Sequence, residues 1–373
     1  MSTKMISPRI LTTLTILVNA AIAQAAVGAW GQWGDDLRRW VHLCLLQSLV
    51  FPVPTCSFDF HCFLYVKLAK FDIHFIIYLK TSSSTSKTTS TSSSATPTGT
   101  NNIPRATYTE ITNFGTNPTG VRAWIYVPQN LAAKPALIVG LHWCHGDANA
   151  FYTGTQFKYL ADQKGFIVIY PQTPNSDGCW DVHTNETLTH NGGGDSLGIV
   201  SAVRWTIPQF NVDTSRIFAV GTSSGAMMTN VLIGAYPDVF AAGSANAGVP
   251  FACFQGPDSW NAACATGTVV KTAQQWGDIV RGAYPGYTGK RPKMQFWHGT
   301  NDQVLYYTNF GEEVKQWTNV HGVSTTPTKT TTNYIFSGWT RYDYGPNVSG
   351  ISAQGVPHDI QLQAAQVLEW FGL

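Results

Sequence analysis

Charged residues are scarce in this sequence. Asp, Glu, Lys and Arg make up 12% of the 373 residues, about half of the usual share, and the formal net charge is +2. The lysines and arginines form no cluster, so the electrostatic footprint of a protein that binds nucleic acid or an acidic membrane is missing. Aromatic residues reach 13%, and a surface of Asn, Thr, Ser and Gly with exposed rings suits contact with sugars.

The sequence also lacks long uninterrupted apolar stretches and paired-cysteine metal motifs. Between residues 28 and 80, prolines and charged residues interrupt every candidate membrane span, so we expect no transmembrane helix there. No Cys-x-x-Cys pair occurs, and we predict neither a metal site nor a cofactor. The seven cysteines are an odd number, which leaves at least one of them unpaired.

The first 25 residues have the pattern of a secretory signal peptide. Lys4 and Arg9 give a positive start, residues 10–21 are apolar but too short to span a bilayer, and residues 21–25 offer small-residue cleavage sites. We therefore predict a secreted, extracellular protein in which cysteines can pair. A signal anchor is the alternative.

Two further segments precede the main domain. Residues 81–100 are almost entirely Ser, Thr, Lys, Pro and Gly, which predicts an O-glycosylated linker over 81–104. The role of residues 26–80 stays open. Near their start, Trp-Gly-Gln at 30–32 resembles the first residues of fungal cellulose-binding modules, which would make cellulose a partner. The segment is longer than those modules, and the spacing of its three cysteines does not match theirs. A degraded module and a misread gene model both fit. The pairing of these cysteines stays open: Cys44, Cys56 and Cys62.

From residue 105 to 373, apolar runs of strand length alternate with helical patterns. We expect strands at 121–127, 136–141, 166–170, 217–220, 241–244 and 294–297. We expect helices at 150–163, 196–207, 226–236, 272–280, 310–320 and 360–370. This alternation predicts an α/β fold with a mostly parallel sheet and helices on both faces. We also expect a monomer.

A Gly-x-Ser-x-Gly motif at residues 221–225 follows an apolar run and precedes a small-residue helical pattern that begins at Ala226. This strand, turn and helix context is what a nucleophile elbow requires, and it places Ser223 at the tip. The flanking glycines keep the tight turn open, and the N–H of Ser224 points to the reaction centre. The alternative is a Gly/Ser turn without chemistry.

An acid and a histidine follow in the order expected of an α/β-hydrolase. The apolar strand at 294–297 leads into a Gly-containing loop that carries Asp302, at a strand end where open α/β sheets place their chemistry. An Asx-turn or a helix cap is the alternative role of Asp302. His358 lies on a loop before the last predicted helix and is the candidate base. Other histidines near these motifs are expected to have supporting or packing roles: His142, His145 and His298.

Six collinear motifs resemble those of fungal acetylxylan esterases and the related feruloyl esterases, within the polyhydroxybutyrate-depolymerase-like esterases. They lie at residues 141–146, 166–171, 178–181, 191–196, 221–225 and 298–302. The resemblance covers roughly residues 105–373 and implies the triad Ser223, Asp302 and His358. Pro357 departs from it, because the family usually has a small residue there. Proline fixes its own φ and restricts the preceding residue, so we expect a shifted histidine loop.

The resemblance and the residue types together imply acyl transfer. His358 would take the proton of Ser223, and Asp302 would hold the imidazole tautomer. The backbone N–H groups of Ser224 and of Cys144 or its neighbour would bind the oxyanion. The implied substrate is acetylated or feruloylated xylan. A noncatalytic carbohydrate-binding protein on an esterase scaffold is the alternative from another class.

Several other residues carry expectations. Gly192–Gly194 do not follow a strand and lack a Walker lysine, so we predict a loop with Asp195 as the helix cap. Trp260 is either core filler or a wall of the substrate site. Two disulfides are predicted, Cys144 with Cys179 and Cys253 with Cys264. Two Asn-x-Ser/Thr sequences mark glycosylation sites: Asn185 and Asn347.

Overall fold

The computed structural model describes residues 103–373 and, as backbone alone, two strands of an N-terminal unit. That unit spans Met1–Ser92, and the second unit spans Ser93–Leu373. In the first, Phe63–Leu68 (β1) pairs antiparallel with Phe71–Ile76 (β2). The predicted signal peptide, the rest of segment 26–80 and nearly all of the linker lie outside the described residues.

The second unit is organised around a ten-stranded sheet. Its strands are Tyr108–Ile111 (β3), Arg122–Tyr126 (β4), Leu137–Leu141 (β5), Ile167–Gln172 (β6), Ile217–Thr222 (β7), Ala242–Asn246 (β8), Lys293–Gly299 (β9), Lys329–Thr332 (β10), Trp339–Asp343 (β11) and Val348–Ala353 (β12). The spatial order is β10-β11-β12-β9-β8-β7-β5-β6-β4-β3. From β12 to β6 all neighbours are parallel, and the outer strands pair antiparallel. The predicted mostly parallel sheet is confirmed.

Helices cover both faces of this sheet. They are Ala148–Gly154 (α1), Phe157–Lys164 (α2), Asn185–Leu188 (α3), Gly194–Phe210 (α4), Ser224–Ala235 (α5), Ala262–Ala265 (α6), Ala273–Gly282 (α7), Thr308–Val320 (α8) and Ala364–Phe371 (α9). One apolar core lies between the sheet and α4, α5, α7 and α8, and a second lies on the opposite face under α1, α2 and α9.

The element boundaries differ from the sequence predictions where the apolar signal is weak. The helix expected at 150–163 is two helices, and α9 begins at Ala364 rather than at residue 360. The strands β3, β10, β11 and β12 were not predicted. β10 reads Lys-Thr-Thr-Thr and is mostly exposed, while β12 is buried but built largely from small residues. Their neighbours in the sheet stabilise them, because their own composition gives little hydrophobic periodicity.

The parallel strands end at one edge of the sheet, which is where open α/β sheets bind their ligands. The loops that follow β5, β6, β7, β9 and β12 meet at this edge. Within residues 103–373 and the two N-terminal strands, no helix is both long and apolar enough to cross a bilayer.

Candidate active site

Ser223 occupies a sharp turn between β7 and α5. Its backbone has φ 57° and ψ −120°, a conformation that non-glycine residues rarely adopt. Its N–H donates to the carbonyl oxygen of Asn246 at 2.8 Å. A Cβ on Gly221 would clash with the backbone of Gly225, and a Cβ on Gly225 would clash with the Leu141 carbonyl oxygen. Only glycine therefore fits on either side of Ser223, as a nucleophile elbow requires.

The structure brings Ser223, His358 and Asp302 into one chain of hydrogen bonds. The Oγ of Ser223 lies 2.8 Å from His358 Nε2, and His358 Nδ1 lies 2.7 Å from Asp302 Oδ2. In this arrangement the hydroxyl donates to Nε2, and Nδ1–H donates to the carboxylate. The Asp302 side chain is fully buried, whereas that of His358 is 21% exposed. The geometry is that of an activated serine nucleophile.

The Asp302 side chain makes three further contacts, two with backbone N–H groups and one with His298. Its Oδ1 accepts the backbone N–H groups of Val304 and Leu305, both at 2.9 Å. The Asx-turn considered from the sequence is therefore present, in addition to the contact with His358. Burial raises the pKa of Asp302, but the hydrogen bonds from His298 and His358 outweigh it, and the pKa lies well below its usual range.

His298 also contacts the Asp302 carboxylate. Its ring is fully buried, and Nε2 lies 3.1 Å from Asp302 Oδ2 and 2.8 Å from the Leu305 carbonyl oxygen. Two acceptors at one nitrogen require a proton on it, so Nε2–H is shared between them. Sequence reasoning anticipated a supporting role for His298 but not this contact with Asp302.

Pro357 does not keep His358 from its partners, because His358 contacts both Ser223 and Asp302. The loop is tied to the one that carries Asp302. The Asn301 N–H donates to the Val356 carbonyl oxygen at 3.0 Å, and the Gly355 N–H donates to Thr300 Oγ1 at 2.8 Å. These bonds set the path of the chain before Pro357.

The residues predicted for the oxyanion hole lie on adjoining elements. Ser224 is the first residue of α5, so its N–H has no acceptor within the helix. Its Oγ accepts the Trp180 N–H at 2.8 Å, and Trp180 Nε1 donates to the His142 carbonyl oxygen at 2.9 Å. Cys144 stands two residues after His142 and is joined to Cys179 by a disulfide. These contacts keep the loop after β5 beside the elbow. The role of both N–H groups stays a prediction.

His142 behaves as a neutral structural group. Its Nδ1–H donates to the Trp143 carbonyl oxygen at 2.8 Å, and its Nε2 lies 3.3 Å from the donor N–H of Thr173. Burial lowers the pKa of His142, which favours this neutral tautomer.

Comparison with known proteins identifies the family. Residues 122–274 match the family model described as esterase PHB depolymerase. Acetylxylan esterase A of Aspergillus oryzae is 48% identical over 276 residues, which cover 72% of this chain and 90% of that protein. Feruloyl esterase B of Talaromyces stipitatus is 46% identical over 275 residues, or 72% of this chain and 76% of that protein. The solved acetyl xylan esterase from Aspergillus awamori aligns with a TM-score of 0.70 and 43% identity, over 71% of this chain and 99% of that one.

The chain belongs to this esterase family. It is a carboxylic ester hydrolase with an α/β-hydrolase fold. The noncatalytic alternative is not supported.

One predicted role in the esterase is wrong. Asp195 does not cap a helix: α4 begins at Gly194, and Gly193 occupies the cap position without a side-chain hydrogen bond. The buried carboxylate of Asp195 instead accepts bonds from Thr119 Oγ1 at 2.8 Å, from Thr173 Oγ1 at 3.2 Å and from the Asp181 N–H at 3.0 Å. It therefore fixes the loop that leads from β6 to Trp180.

The remaining predicted residues of the esterase are found as follows. Trp260 is 53% exposed and packs edge-on against Phe254, so it is not core filler. Cys253 and Cys264 form the second disulfide. Asn185 is exposed at the start of α3, and Asn347 is half-buried before β12. Among the described residues, no group of three or more His, Cys, Asp or Glu side chains could hold a metal ion.

Proposed function

We propose that this esterase removes acetyl groups from xylan through a covalent acyl-enzyme. The observation that carries the proposal is the unbroken path of hydrogen bonds from Ser223 Oγ through His358 to Asp302. The relatives named acetylxylan esterase, which align with most of this chain, support the choice of acyl group and polymer.

The first half-reaction forms the ester of Ser223. Its Oγ attacks the acetyl carbonyl carbon while His358 Nε2 takes the proton, and Asp302 stabilises the imidazolium. The N–H groups of Ser224 and Cys144 receive the negative charge on the carbonyl oxygen. When the tetrahedral intermediate collapses, the C–O bond to the sugar breaks, and His358 returns the proton to the sugar oxygen.

The second half-reaction regenerates the enzyme. Water attacks the acetyl-serine carbonyl while His358 takes one of its protons, and a second tetrahedral intermediate forms at the same oxyanion site. The bond to Ser223 Oγ then breaks, the proton passes from His358 to that oxygen, and acetate leaves.

A feruloyl group is the second candidate, favoured by two observations. Feruloyl esterase B is 46% identical, and the exposed Trp260 offers a face on which an aromatic acyl group could stack. Hydrolysis rates of the full chain on acetylated xylan and on methyl ferulate separate the two. Faster release of acetate supports the proposal, and faster release of ferulate assigns the second candidate. Absence of both products would refute an esterase of this substrate class.

We also propose an extracellular location and a chain of four parts: a signal peptide, the segment at 26–80, a linker and the esterase domain. Residues 1–25 would be a cleaved signal peptide, 81–104 a glycosylated linker and 105–373 the enzyme. The signal pattern and the two disulfides support export, because disulfides persist in oxidising compartments. Sequencing the N-terminus of the secreted protein tests the cleavage site, and size-exclusion chromatography tests the expected monomer.

A further inference from the structure

A polar cavity of about 360 Å³ opens at the catalytic edge of the sheet. It lies between the loop that follows β5 and the loop that follows β6. The side chains that line it are those of His145, Gln172, Thr173, Asn175, Ser176 and Asp177. His145 directly follows Cys144, so the cavity adjoins the N–H group proposed to hold the oxyanion.

The two loops that form the cavity are locked together. The Cys144–Cys179 disulfide joins them, and the His145 N–H donates to the Asp177 carbonyl oxygen at 3.3 Å. Gly178 has φ 68°, and a Cβ there would lie only 2.9 Å from the backbone nitrogen of His145. His145 itself has φ 61°. Such conformations persist where the surrounding structure over-determines them, so the cavity is preformed.

Several polar side chains of the cavity have donors or acceptors that no other described residue uses. Within residues 103–373, the side chains of His145, Gln172 and Ser176 make no hydrogen bond to another residue. Asn175 uses its Nδ2 to bond the Cys179 carbonyl oxygen, which leaves its Oδ1 free. Asp177 accepts the Cys179 N–H with Oδ1 and keeps Oδ2 free. Thr173 is already engaged with Asp195 and Cys179 and forms part of the fixed wall.

The lining restricts the class of ligand. No side chain among the lining residues is apolar, which disfavours an aromatic acyl group. None is a lysine or arginine, and Asp177 is acidic, which disfavours phosphate or another anion. Free amide, imidazole, hydroxyl and carboxylate groups suit a neutral ligand rich in hydroxyl groups. The volume is at the low end of the roughly 300–1,000 Å³ of small-molecule sites, so it accepts a sugar ring rather than a long chain segment.

We propose that this cavity is a subsite for a sugar ring of the xylan main chain, adjacent to the ring that carries the ester. The inference rests on the proposed function and adds the means by which the enzyme would recognise polymer rather than acyl group alone. His145 and Gln172 bond the hydroxyl groups of the neighbouring ring, and the disulfide keeps that ring in register with Ser223.

The first test compares two substrates in full-length variants. His145→Gly removes the ring and keeps a residue that tolerates φ 61°, and Gln172→Ala removes the amide. We expect each to lower the ratio of kcat/KM on acetylated xylan to kcat/KM on 4-nitrophenyl acetate by about tenfold, the effect of one or two lost hydrogen bonds. Arg204→Ala is the control, because Arg204 lines a separate cavity of about 630 Å³ beside α4. It should leave the ratio unchanged.

The second test measures binding without chemistry. In a full-length Ser223→Ala background, calorimetry with unacetylated xylo-oligosaccharides reports the sugar contacts alone. Affinity should fall about tenfold when His145→Gly or Gln172→Ala is added, and not when Arg204→Ala is added.

The outcomes separate the two proposals. A wild-type protein that hydrolyses 4-nitrophenyl acetate, with cavity variants that leave both the ratio and the affinity unchanged, refutes the subsite and leaves the esterase intact. An equal loss with Arg204→Ala points to the other cavity and also refutes it. A wild-type protein that hydrolyses neither substrate refutes the proposed function itself.

Discussion

At the scale of single residues, three side chains from distant parts of the chain carry the proposed chemistry, and each is held by its neighbours. Asp302 is fixed by two backbone N–H groups and by His298. Its lowered pKa keeps it ionised, so the carboxylate can orient Nδ1–H of His358 and leave Nε2 free to accept the proton of Ser223. The strained backbone of Ser223 presents its Oγ to that nitrogen.

Ser223→Ala is expected to abolish ester hydrolysis while the protein stays folded. Loss of the nucleophile should lower kcat on the order of 10⁶-fold, because triad members act as a unit. The substitution deletes one oxygen from an existing turn, so the circular dichroism spectrum and the unfolding midpoint should match those of the wild type. More than a few per cent of residual activity in a contamination-free preparation would contradict the assignment of Ser223.

At the scale of elements, helix α8 carries a buried carboxyl group that the proposed mechanism does not use. Glu313 accepts a hydrogen bond from Asn230 Nδ2 at 2.8 Å through Oε1, and Oε2 has no partner within the described residues. Asn230 in turn accepts from Trp317 Nε1 at 2.8 Å. Burial raises the pKa of Glu313 from 4.5 to about 8, although the bond from Asn230 acts in the opposite direction. The side chain is therefore protonated in the folded protein near neutral pH.

This burial predicts a stability that falls with rising pH. The unfolded chain releases the Glu313 proton near pH 4.5 and the folded protein near pH 8, so the stabilisation is complete below pH 4.5 and is lost between these values. The loss should be on the order of a few kcal/mol. Glu313→Gln keeps an acceptor for Asn230 without an ionisable proton. Urea unfolding of both proteins from pH 5 to pH 9 should show the wild type losing stability relative to the variant.

The comparison isolates Glu313, because His142 and His321, which are buried with lowered pKa values, contribute equally to both proteins. Parallel stability curves for wild type and variant would show that Glu313 does not titrate in this range.

The disulfide between Cys144 and Cys179 joins the loops after β5 and β6 across 35 residues. By chain-entropy reasoning, replacing both cysteines with serine should lower the free energy of unfolding by roughly 4 kcal/mol. The same change at Cys253 and Cys264, 11 residues apart, should cost roughly 3 kcal/mol. Only the first pair lies beside the proposed oxyanion residues, so it should also lower kcat more. Unchanged urea midpoints, or equal effects on kcat, would contradict this account.

At the scale of the whole molecule, the esterase fold is complete within one unit. Its sheet, both apolar cores and the proposed triad lie within residues 103–373. The sequence of segment 26–80 interleaves aromatic and aliphatic residues, rather than spacing aromatics as a flat platform, and its three cysteines allow only one pair. We expect no working cellulose-binding module there.

A protein that begins at about Arg105 should therefore fold and hydrolyse esters as the full chain does. Both should bind cellulose equally poorly. The measurement is a cellulose pull-down of the two proteins beside their kcat/KM on 4-nitrophenyl acetate. Selective retention of the full chain would establish a working module, and loss of activity on truncation would show that the N-terminal part supports the fold.

The sequence was informative where local pattern and chemistry coincide. The strands β5, β7 and β9 are apolar runs, and the loops that follow them carry candidate catalytic residues. The Gly-x-Ser-x-Gly motif also predicts the tight backbone turn in which it lies. The hairpin of edge strand β10 and its neighbour β11 was missed because a half-exposed hairpin needs little apolar periodicity once the next strand pairs with it. Asp195 was misassigned because an Asp near the start of a helix is a common N-cap residue in sequence. In the structure its carboxylate instead accepts hydrogen bonds from Thr119 and from two residues of the loop after β6.

By itself, the sequence determined the class of fold, the elbow at Ser223 and the order of nucleophile, acid and base, because each depends on short-range pattern and residue type. The tertiary structure alone decided the rest. The Ser223 and His358 side chains are 135 residues apart in sequence and meet at 2.8 Å only because parallel strands end at one edge of the sheet. The contact of His298 with Asp302, the exposure of Trp260 and the polar cavity beside Cys144 depend in the same way on loop packing, which no local pattern encodes.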